Sequence, residues 1–245
     1  MLHIFSYATD ASRCKRLQQS AERHGLCVDL RGHGEAWEGY HQKVRAFRAS
    51  LESWPGDHLA LFLDAYDTLL LAGEQRIVEV FEATGADILI SAEAGLWPDR
   101  DDGIAARYPT SVSPFRFANS GVYMGRVAAL RNFLAKADRF SWGEVDALGR
   151  RHPDADDQRL LTSLFLSQPG AAKLDHEQRL CSNLFSCKVD QYRIFEHGVE
   201  NEYTGSASCV LHGNGAHGAA VLERLLVLMG ERSGEIPRAT GDAPA

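Results

Sequence analysis

Short apolar runs alternate with amphipathic segments along most of the chain. The run at 58–63 is apolar from its second residue onward, with turn residues before it and acidic residues after it. Such runs are typical of parallel strands that are buried on both faces. Val44, Phe47 and Leu51 stand at the helical spacing that is typical of the segments between the runs. The pattern predicts strands at 2–7, 26–30, 58–63, 87–92, 119–125 and 208–211, and helices at 13–24, 43–54, 74–84, 128–140, 157–168 and 219–230.

The repeated order of strand and helix predicts the fold class. It indicates an α/β fold with a mixed, mostly parallel sheet flanked by helices, in a single domain that spans residues 1–230. Ligands of such sheets bind where the strands end at their carboxyl side. Segment 95–117 breaks the pattern and is long, so we expect an active-site loop there. Residues 231–245 are polar, contain Pro and Gly, and are predicted to form a disordered tail.

Composition narrows the range of partners. The 33 acidic residues outnumber the 26 Lys and Arg residues, which leaves a net charge of −7. This charge disfavours nucleic acid and anionic membranes, so we expect neither as a partner. The sequence shows no apolar stretch of about 18 residues and no leader pattern, from which we expect a cytoplasmic location. Its five cysteines lack the short paired spacing of a zinc site and are expected to be reduced core thiols.

Residues able to bind a metal follow two of the predicted strands. Asp64 and Asp67 come directly after the strand at 58–63, where paired carboxylates can hold a divalent cation that bridges a nucleotide diphosphate. His212 follows the last predicted strand and opens the turn Gly213-Asn214-Gly215. Glycines allow the backbone to approach a phosphate, and an imidazole can bind Mn²⁺. The alternative is that these residues only cap or form turns.

Three further features allow both a functional and a structural interpretation. Asp156 and Asp157, with Asp154 before them, either act beside a substrate or cap the helix that starts there. Trp97 either stacks on a sugar as part of a lid or is a hydrophobic plug under a loop. Lys43 either pairs with a phosphate or is an ordinary surface lysine.

Taken in order, these motifs resemble the glycosyltransferase domain of procollagen lysyl hydroxylases over about residues 3–218. The matching pieces are Ala8-Thr9-Asp10, Gln42-Lys43-Val44-Arg45, Asp64-Ala65-Tyr66-Asp67, Ser91-Ala92-Glu93 with Trp97-Pro98, Asn119-Ser120-Gly121, Asp156-Asp157-Gln158, Leu174-Asp175-His176 and His212-Gly213-Asn214-Gly215. Each piece is weak alone, but together in this order they are specific. The sequence departs from the family pattern at 38–41, where the family has a glycine run, and at Ala155, which interrupts an acidic run.

The resemblance implies a Rossmann-like GT-A fold, a UDP-sugar donor and Mn²⁺ as cofactor. It implies transfer of glucose or galactose to a hydroxyl acceptor on a protein, a glycan or a small molecule. The site residues that it implies form three groups: metal ligands Asp64, Asp67 and His212; donor contacts Thr9, Lys43, Tyr66, Gly213, Asn214 and Gly215, with Trp97 in a gating loop; and catalytic residues Asp156, Asp157 and Asn119 beside the transferred sugar.

Three other functions remain as alternatives. The segment from Leu63 to Leu69 is similar to the nucleophile loop of haloacid dehalogenase-type phosphatases, in which Asp64 would be the nucleophile. That loop normally opens the chain, whereas here a strand, a helix and a strand precede it. His152, Asp154 and His212 have the spacing of an iron oxygenase site, but those enzymes need a β-barrel-like fold. A nucleotide-sugar binding module without catalysis would share the same residues.

Overall fold

The computed structural model describes residues 1–139, 156–195 and 198–233. Its strands are β1 (Leu2–Tyr7), β2 (Val28–Arg31), β3 (Leu59–Asp64), β4 (Thr68–Leu70), β5 (Ile88–Glu93), β6 (Phe117–Arg126), β7 (Lys173–Asp175), β8 (Cys181–Asn183), β9 (Tyr192–Phe195), β10 (Gly198–Asn201), β11 (Ser206–Ala207) and β12 (Val210–His212). Its α-helices are α1 (Lys15–Arg23), α2 (His41–Ser53), α3 (Glu74–Ala83), α4 (Asp102–Arg107), α5 (Val127–Leu134), α6 (Asp157–Ser167) and α7 (Gly215–Ser233).

A six-stranded sheet in the order β2-β1-β3-β6-β5-β7 forms the centre of the protein. Its strands run parallel except for β6, which pairs antiparallel with both β3 and β5. Helices pack on both faces of the sheet. The predicted fold class, an α/β fold with a mixed and mostly parallel sheet, is therefore confirmed.

Strand β3 shows how the sequence positions the site. Ala60 and Phe62 pack on one face of the sheet with α2 and α5, and Leu61 and Leu63 pack on the other face with α1 and α3. Because both faces are buried, the strand is apolar until it ends. Its first charged side chain, Asp64, therefore emerges at the carboxyl edge of the sheet.

A small sheet beside the central one brings distant segments together. Its order is β4-β12-β8, and β12 pairs antiparallel with β4 and parallel with β8. His212 at the end of β12 lies opposite Thr68 on one side and opposite Asn183 on the other. Since β4 follows β3 after a short turn, this pairing carries His212 to the carboxyl edge of β3.

Several predicted elements differ from the structure. Segment 95–117 is not only a loop, because it contains α4, which Asp101 caps by accepting a hydrogen bond from the Ile104 N–H. The predicted helix at 128–140 leaves the α conformation after Leu134 and continues as a 3₁₀ helix over Ala135–Arg139. Helix α7 starts at Gly215 and continues to Ser233, and the rest of the predicted tail lies outside the described residues.

Six short strands were not predicted: β4, β7, β8, β9, β10 and β11. They contain two to four residues each, which is too few for an alternating pattern to identify a strand. The positions of β4, β7 and β8 depend on pairing with segments far away in the chain, whereas β9, β10 and β11 pair with one another.

The cysteines are free, as expected, but they are not all in the core. Cys14, Cys181, Cys187 and Cys209 are buried, whereas Cys27 is exposed just before the edge strand β2. Within the ranges that the structure describes, none of the helices combines the length and the apolar character that crossing a lipid bilayer requires.

Candidate active site

Asp64, Asp67 and His212 lie together at the carboxyl edge of the sheet. Asp64 ends β3, Asp67 lies in the turn before β4, and His212 ends β12. The backbone N–H of Gly213 donates a hydrogen bond of 2.8 Å to the backbone oxygen of Asp67, which fixes the two turns against each other. One ligand atom from each of the three side chains lies within 4.8 Å of the others. The structure thus brings together the residues that were predicted as metal ligands.

These three groups fit a divalent cation. His212 Nε2 is 3.5 Å from Asp67 Oδ2 and 3.9 Å from Asp64 Oδ2. Ligand atoms that are each about 2.1 Å from one ion lie about 3 to 4 Å apart, so the observed distances are compatible with a shared ion. Two carboxylates and an imidazole suit a first-row divalent metal, and Mn²⁺ is among them.

The imidazole of His212 is held on two sides. His212 is 2% exposed, and its Nδ1 is 2.8 Å from Asn183 Oδ1. The ring lies against Gly121, where an added Cβ would be 2.1 Å from the ring Cε1. Burial alone would lower the pKa of His212, but the carboxylates of Asp67 and Asp64 outweigh burial and raise it. The site therefore favours positive charge between its two carboxylates.

Lys43 on α2 joins the candidate metal site to α6. Its Nζ is 2.6 Å from Asp64 Oδ1 and 2.7 Å from Asp157 Oδ2. Burial would lower the pKa of Lys43, but the carboxylates of Asp157 and Asp64 outweigh burial and raise it. The ammonium group is therefore charged and already paired, and the interpretation of Lys43 as an ordinary surface lysine is wrong.

The first turn of α6 carries the two aspartates predicted to be catalytic. Asp156 is the N-cap residue, and its Oδ1 accepts a hydrogen bond of 2.9 Å from the Arg159 N–H, so its capping role is confirmed. Burial raises the pKa of Asp156. Asp157 is buried and faces Lys43. Asp154, the third acid of this cluster, lies outside the described residues.

Glu93 is a buried carboxylate next to this site for which the sequence suggested no separate role. Its Oε1 accepts hydrogen bonds from Gln158 Nε2 at 2.5 Å and Asn119 Nδ2 at 3.1 Å, and its Oε2 accepts one from Asn214 Nδ2 at 3.0 Å. Burial raises the pKa of Glu93, although these amide donors oppose the change. The side chains of Asn119 and Asn214 are thus committed to this network. The position of Glu93 after the buried run at 87–92 was the signal that could have identified it.

Trp97 is 48% exposed on the segment between β5 and α4, so it is not a hydrophobic plug. Its backbone oxygen accepts a hydrogen bond of 3.3 Å from Gln158 Nε2. Two residues later, Asp99 forms a two-bond ion pair with Arg159, at 2.9 Å to Nε and 3.1 Å to Nη2, and both side chains are 8% exposed. The loop that carries Trp97 is therefore fixed to α6, the helix that carries Asp157.

The residues expected at the uridine lie beyond β1 and β3. The hydroxyl of Tyr66 accepts a hydrogen bond of 3.2 Å from the Asp10 N–H, and the Arg13 guanidinium lies 4.3 Å from the centre of the Tyr66 ring. The backbone oxygen of Thr9 accepts a hydrogen bond of 3.0 Å from Gly34, in the loop after β2. A base could stack on Tyr66 only on the face away from Arg13, or after Arg13 had moved.

The turn after β12 is compact. An added Cβ on Gly213 would be 2.9 Å from the Leu222 side chain of α7, and Gly215 has a φ of +66°, which glycine adopts without strain. The side chain of Asn214 accepts a hydrogen bond of 3.0 Å from the Phe185 N–H. Glycines at 213 and 215 allow the chain to follow this path from the sheet into α7 without strain.

Comparison with known proteins identifies the family of this chain. The family model described as the PLOD GT domain matches residues 1–226. The chain belongs to this glycosyltransferase family. It is 30% identical over 222 residues to the multifunctional procollagen lysine hydroxylase and glycosyltransferase LH3 of Rattus norvegicus, a match that covers 82% of this chain and 28% of that protein. The uncharacterized protein R699 of Acanthamoeba polyphaga mimivirus is 24% identical over 210 residues, which cover 82% of this chain and 42% of that protein. The chain thus spans less than half the length of these relatives.

A solved structure shares the GT-A-type fold of this chain. It is a glycosyltransferase involved in the glycosylation of the major capsid of PBCV-1, with a TM-score of 0.53 and 12% sequence identity over 92% of this chain and 98% of that chain. The α/β sheet is not the barrel that an iron oxygenase needs, and two of the proposed iron ligands lie outside the described residues. Asp64 ends the third strand, whereas the nucleophile of the dehalogenase alternative follows the first strand.

Proposed function

We propose that this glycosyltransferase transfers a hexose, glucose or galactose, from a UDP-sugar to a hydroxyl acceptor, with Mn²⁺ as cofactor. The observation that carries the proposal is the convergence of Asp64, Asp67 and His212 at the carboxyl edge of the sheet. A cation bound there would neutralise the negative charge that develops on the diphosphate as the sugar leaves. Asp64, Asp67 and His212 would hold the cation, and the turn after His212 would lie along the phosphates.

The resemblance implies that Lys43 contacts a phosphate. The two ion pairs of Lys43 support a second role, in which this residue positions the carboxylates that it binds. Its two short hydrogen bonds hold Asp64 and Asp157 in fixed directions. A charged ammonium at this place also adds positive potential near the diphosphate, in an environment where charges are poorly screened. Lys43 would therefore orient a metal ligand and a sugar-facing carboxylate at the same time.

Asp156 and Asp157 would face the transferred sugar. An ionised Asp157, held by Lys43, could accept a hydrogen bond from a sugar hydroxyl or stabilise positive charge on the sugar. Asn119 would support these two residues without contacting the sugar through its amide nitrogen, because that nitrogen donates to Glu93 and Gln158. Trp97, exposed on a loop fixed to the same helix, would contact the sugar or the acceptor.

The names of the similar proteins suggest the class of acceptor. LH3 is described as a procollagen lysine hydroxylase and glycosyltransferase. The solved glycosyltransferase structure is described as involved in the glycosylation of the major capsid of PBCV-1. We therefore propose that the acceptor is a hydroxyl group of a protein, such as a hydroxylysine, or of a protein-bound glycan. We prefer both to a small-molecule acceptor.

The test is release of UDP from a panel of UDP-sugars, measured with Mn²⁺ or with EDTA. We expect slow release from UDP-glucose or UDP-galactose that requires Mn²⁺ and is lost in Asp67→Asn. Asp87→Asn is the matched control, because the Asp87 side chain is 74% exposed and precedes β5 at the opposite end of that strand. Release that is equal in EDTA and Mn²⁺ would contradict the metal assignment.

A binding module without catalysis predicts a different result. It would show an Mn²⁺-dependent rise of the melting temperature with UDP, because a ligand that binds only the folded state stabilises it. It would release no UDP, even with hydroxylysine peptides or glycans as acceptors. If neither release nor stabilisation occurs, the proposed donor class is wrong.

A further inference from the structure

We propose that Asn183 is a positioning residue. It binds Nδ1 of His212 and thereby determines that Nε2 is the ring nitrogen that faces the two carboxylates of the candidate metal site. Asn183 ends β8, the strand that pairs in parallel with β12, and the register places it directly beside His212. It is fully buried, and its Oδ1 is 2.8 Å from His212 Nδ1. This inference rests on the proposed function, because it concerns a metal ligand.

The orientation of the Asn183 amide is set by a second hydrogen bond. Its Nδ2 donates to the backbone oxygen of Ala92 at 3.0 Å. If the amide were turned over, its oxygen would face the Ala92 carbonyl oxygen, and two acceptors would oppose each other. The amide oxygen therefore faces the imidazole. Since this oxygen can only accept, Nδ1 of His212 carries a proton.

A neutral imidazole with its proton on Nδ1 presents the lone pair of Nε2 as a metal ligand. The Nε2 atom is the one that lies 3.5 Å from Asp67 Oδ2 and 3.9 Å from Asp64 Oδ2. Gly121 leaves room for the ring, because the ring occupies the space that a Cβ would need there. Asn183 thus selects the tautomer, and Gly121 provides the slot.

Two variants separate this role from simple packing. Asn183→Ala removes both the acceptor for His212 and the donor to Ala92. Asn183→Asp removes the same donor but keeps an acceptor at the same place. Because outer-shell partners of metal-bound histidines change metal affinity by about 10- to 100-fold, we expect Asn183→Ala to weaken Mn²⁺ binding by that factor. Asn183→Asp should bind Mn²⁺ at least as tightly as the unchanged protein, because a carboxylate makes the imidazole a stronger ligand.

Mn²⁺ affinity is measured by the electron paramagnetic resonance signal of the free ion, with His212→Ala as the reference. Equal weakening in both Asn183 variants, or no weakening in either, would overturn the proposed role of Asn183. If His212→Ala binds Mn²⁺ as tightly as the unchanged protein, the metal assignment fails instead.

A measurement on the unchanged protein covers the case in which the variants do not fold. The Nδ1 proton of His212, buried against Asn183, should give a downfield and slowly exchanging signal in ¹⁵N-resolved proton spectra of metal-free protein. The signal should be missing in His212→Ala. Its absence from the unchanged protein would overturn the assignment of the proton to Nδ1, whether or not the metal site is correct.

Discussion

Replacing Lys43 with methionine should strongly destabilise this protein, although the new side chain is similar in length. Lys43 and Asp157 are each 9% exposed, and the Lys43 ammonium makes hydrogen bonds of 2.6 and 2.7 Å to two carboxylates. Methionine leaves the buried carboxylate of Asp157 without this ammonium partner and removes one partner of the less buried Asp64. Loss of one partner from a buried ion pair costs about 3–5 kcal/mol of unfolding free energy. For a chain of this size, that corresponds to a fall of about 6–20 °C in melting temperature.

Urea unfolding monitored by circular dichroism measures this effect, and Lys15→Met is the matched control. Lys15 is exposed at the start of α1, so its replacement should change the unfolding free energy by less than about 0.5 kcal/mol. The double variant Lys43→Met with Asp157→Asn should be more stable than the sum of the single changes predicts, by about 0.5–3 kcal/mol. Additive effects would refute the reasoning, because they would show that Lys43 and Asp157 do not interact.

Three other changes test separate parts of the structure. Gly121→Ala places a Cβ 2.1 Å from the imidazole of the candidate metal site, so Mn²⁺ titration should show at least about tenfold weaker binding. Unchanged affinity would contradict the close packing. Asp99→Ala leaves the buried Arg159 without its bidentate partner, so stability should fall by about 3–5 kcal/mol and trypsin should cleave the adjoining loop faster. Burial and the neighbouring His58 lower the pKa of His3 below its ordinary 6.5, so this residue's contribution to stability is present above pH 6.5 and is lost as the pH falls through the lowered pKa. Thermal unfolding at about pH 7.5 and pH 5.5 should therefore show a larger loss for the unchanged protein than for His3→Phe, and equal losses would contradict the assignment.

The sequence was sufficient to predict which three side chains form the candidate metal site, because they follow local patterns. Asp64 and Asp67 come after an apolar run long enough to identify a buried strand, and His212 comes before a turn rich in glycine. The carboxyl ends of such strands meet at one edge of a sheet. The clustering of these three side chains within 4.8 Å therefore follows from strand ends and sheet geometry.

The partners of these residues could not be predicted in the same way. Asn183 ends a strand of three residues, too short to show alternation, and its contact with His212 depends on the register between β8 and β12. Lys43 meets Asp157 only because α2 and α6 pack against the same face of the sheet. These contacts join positions far apart in the chain, and nothing in the local pattern of residues indicates them.

The loop that carries Trp97 shows a further limit of sequence patterns. Its length and its Pro, Asp and Arg residues indicated an active-site loop, and the same residues also supply anchors. Asp99 pairs with Arg159, and the Trp97 backbone oxygen bonds to Gln158, so two neighbouring residues of α6 hold the loop. Polar residues in a loop therefore did not distinguish a free segment from a fixed one.

The most direct test of the central claim is the affinity of this protein for UDP, measured by isothermal titration calorimetry with Mn²⁺ and with EDTA. If Asp64, Asp67 and His212 hold a cation that binds the diphosphate, UDP should bind tightly only with Mn²⁺, and Asp67→Asn should remove that dependence. Binding of UDP that is equally tight in EDTA, or an Mn²⁺ dependence that survives in Asp67→Asn, would contradict the account.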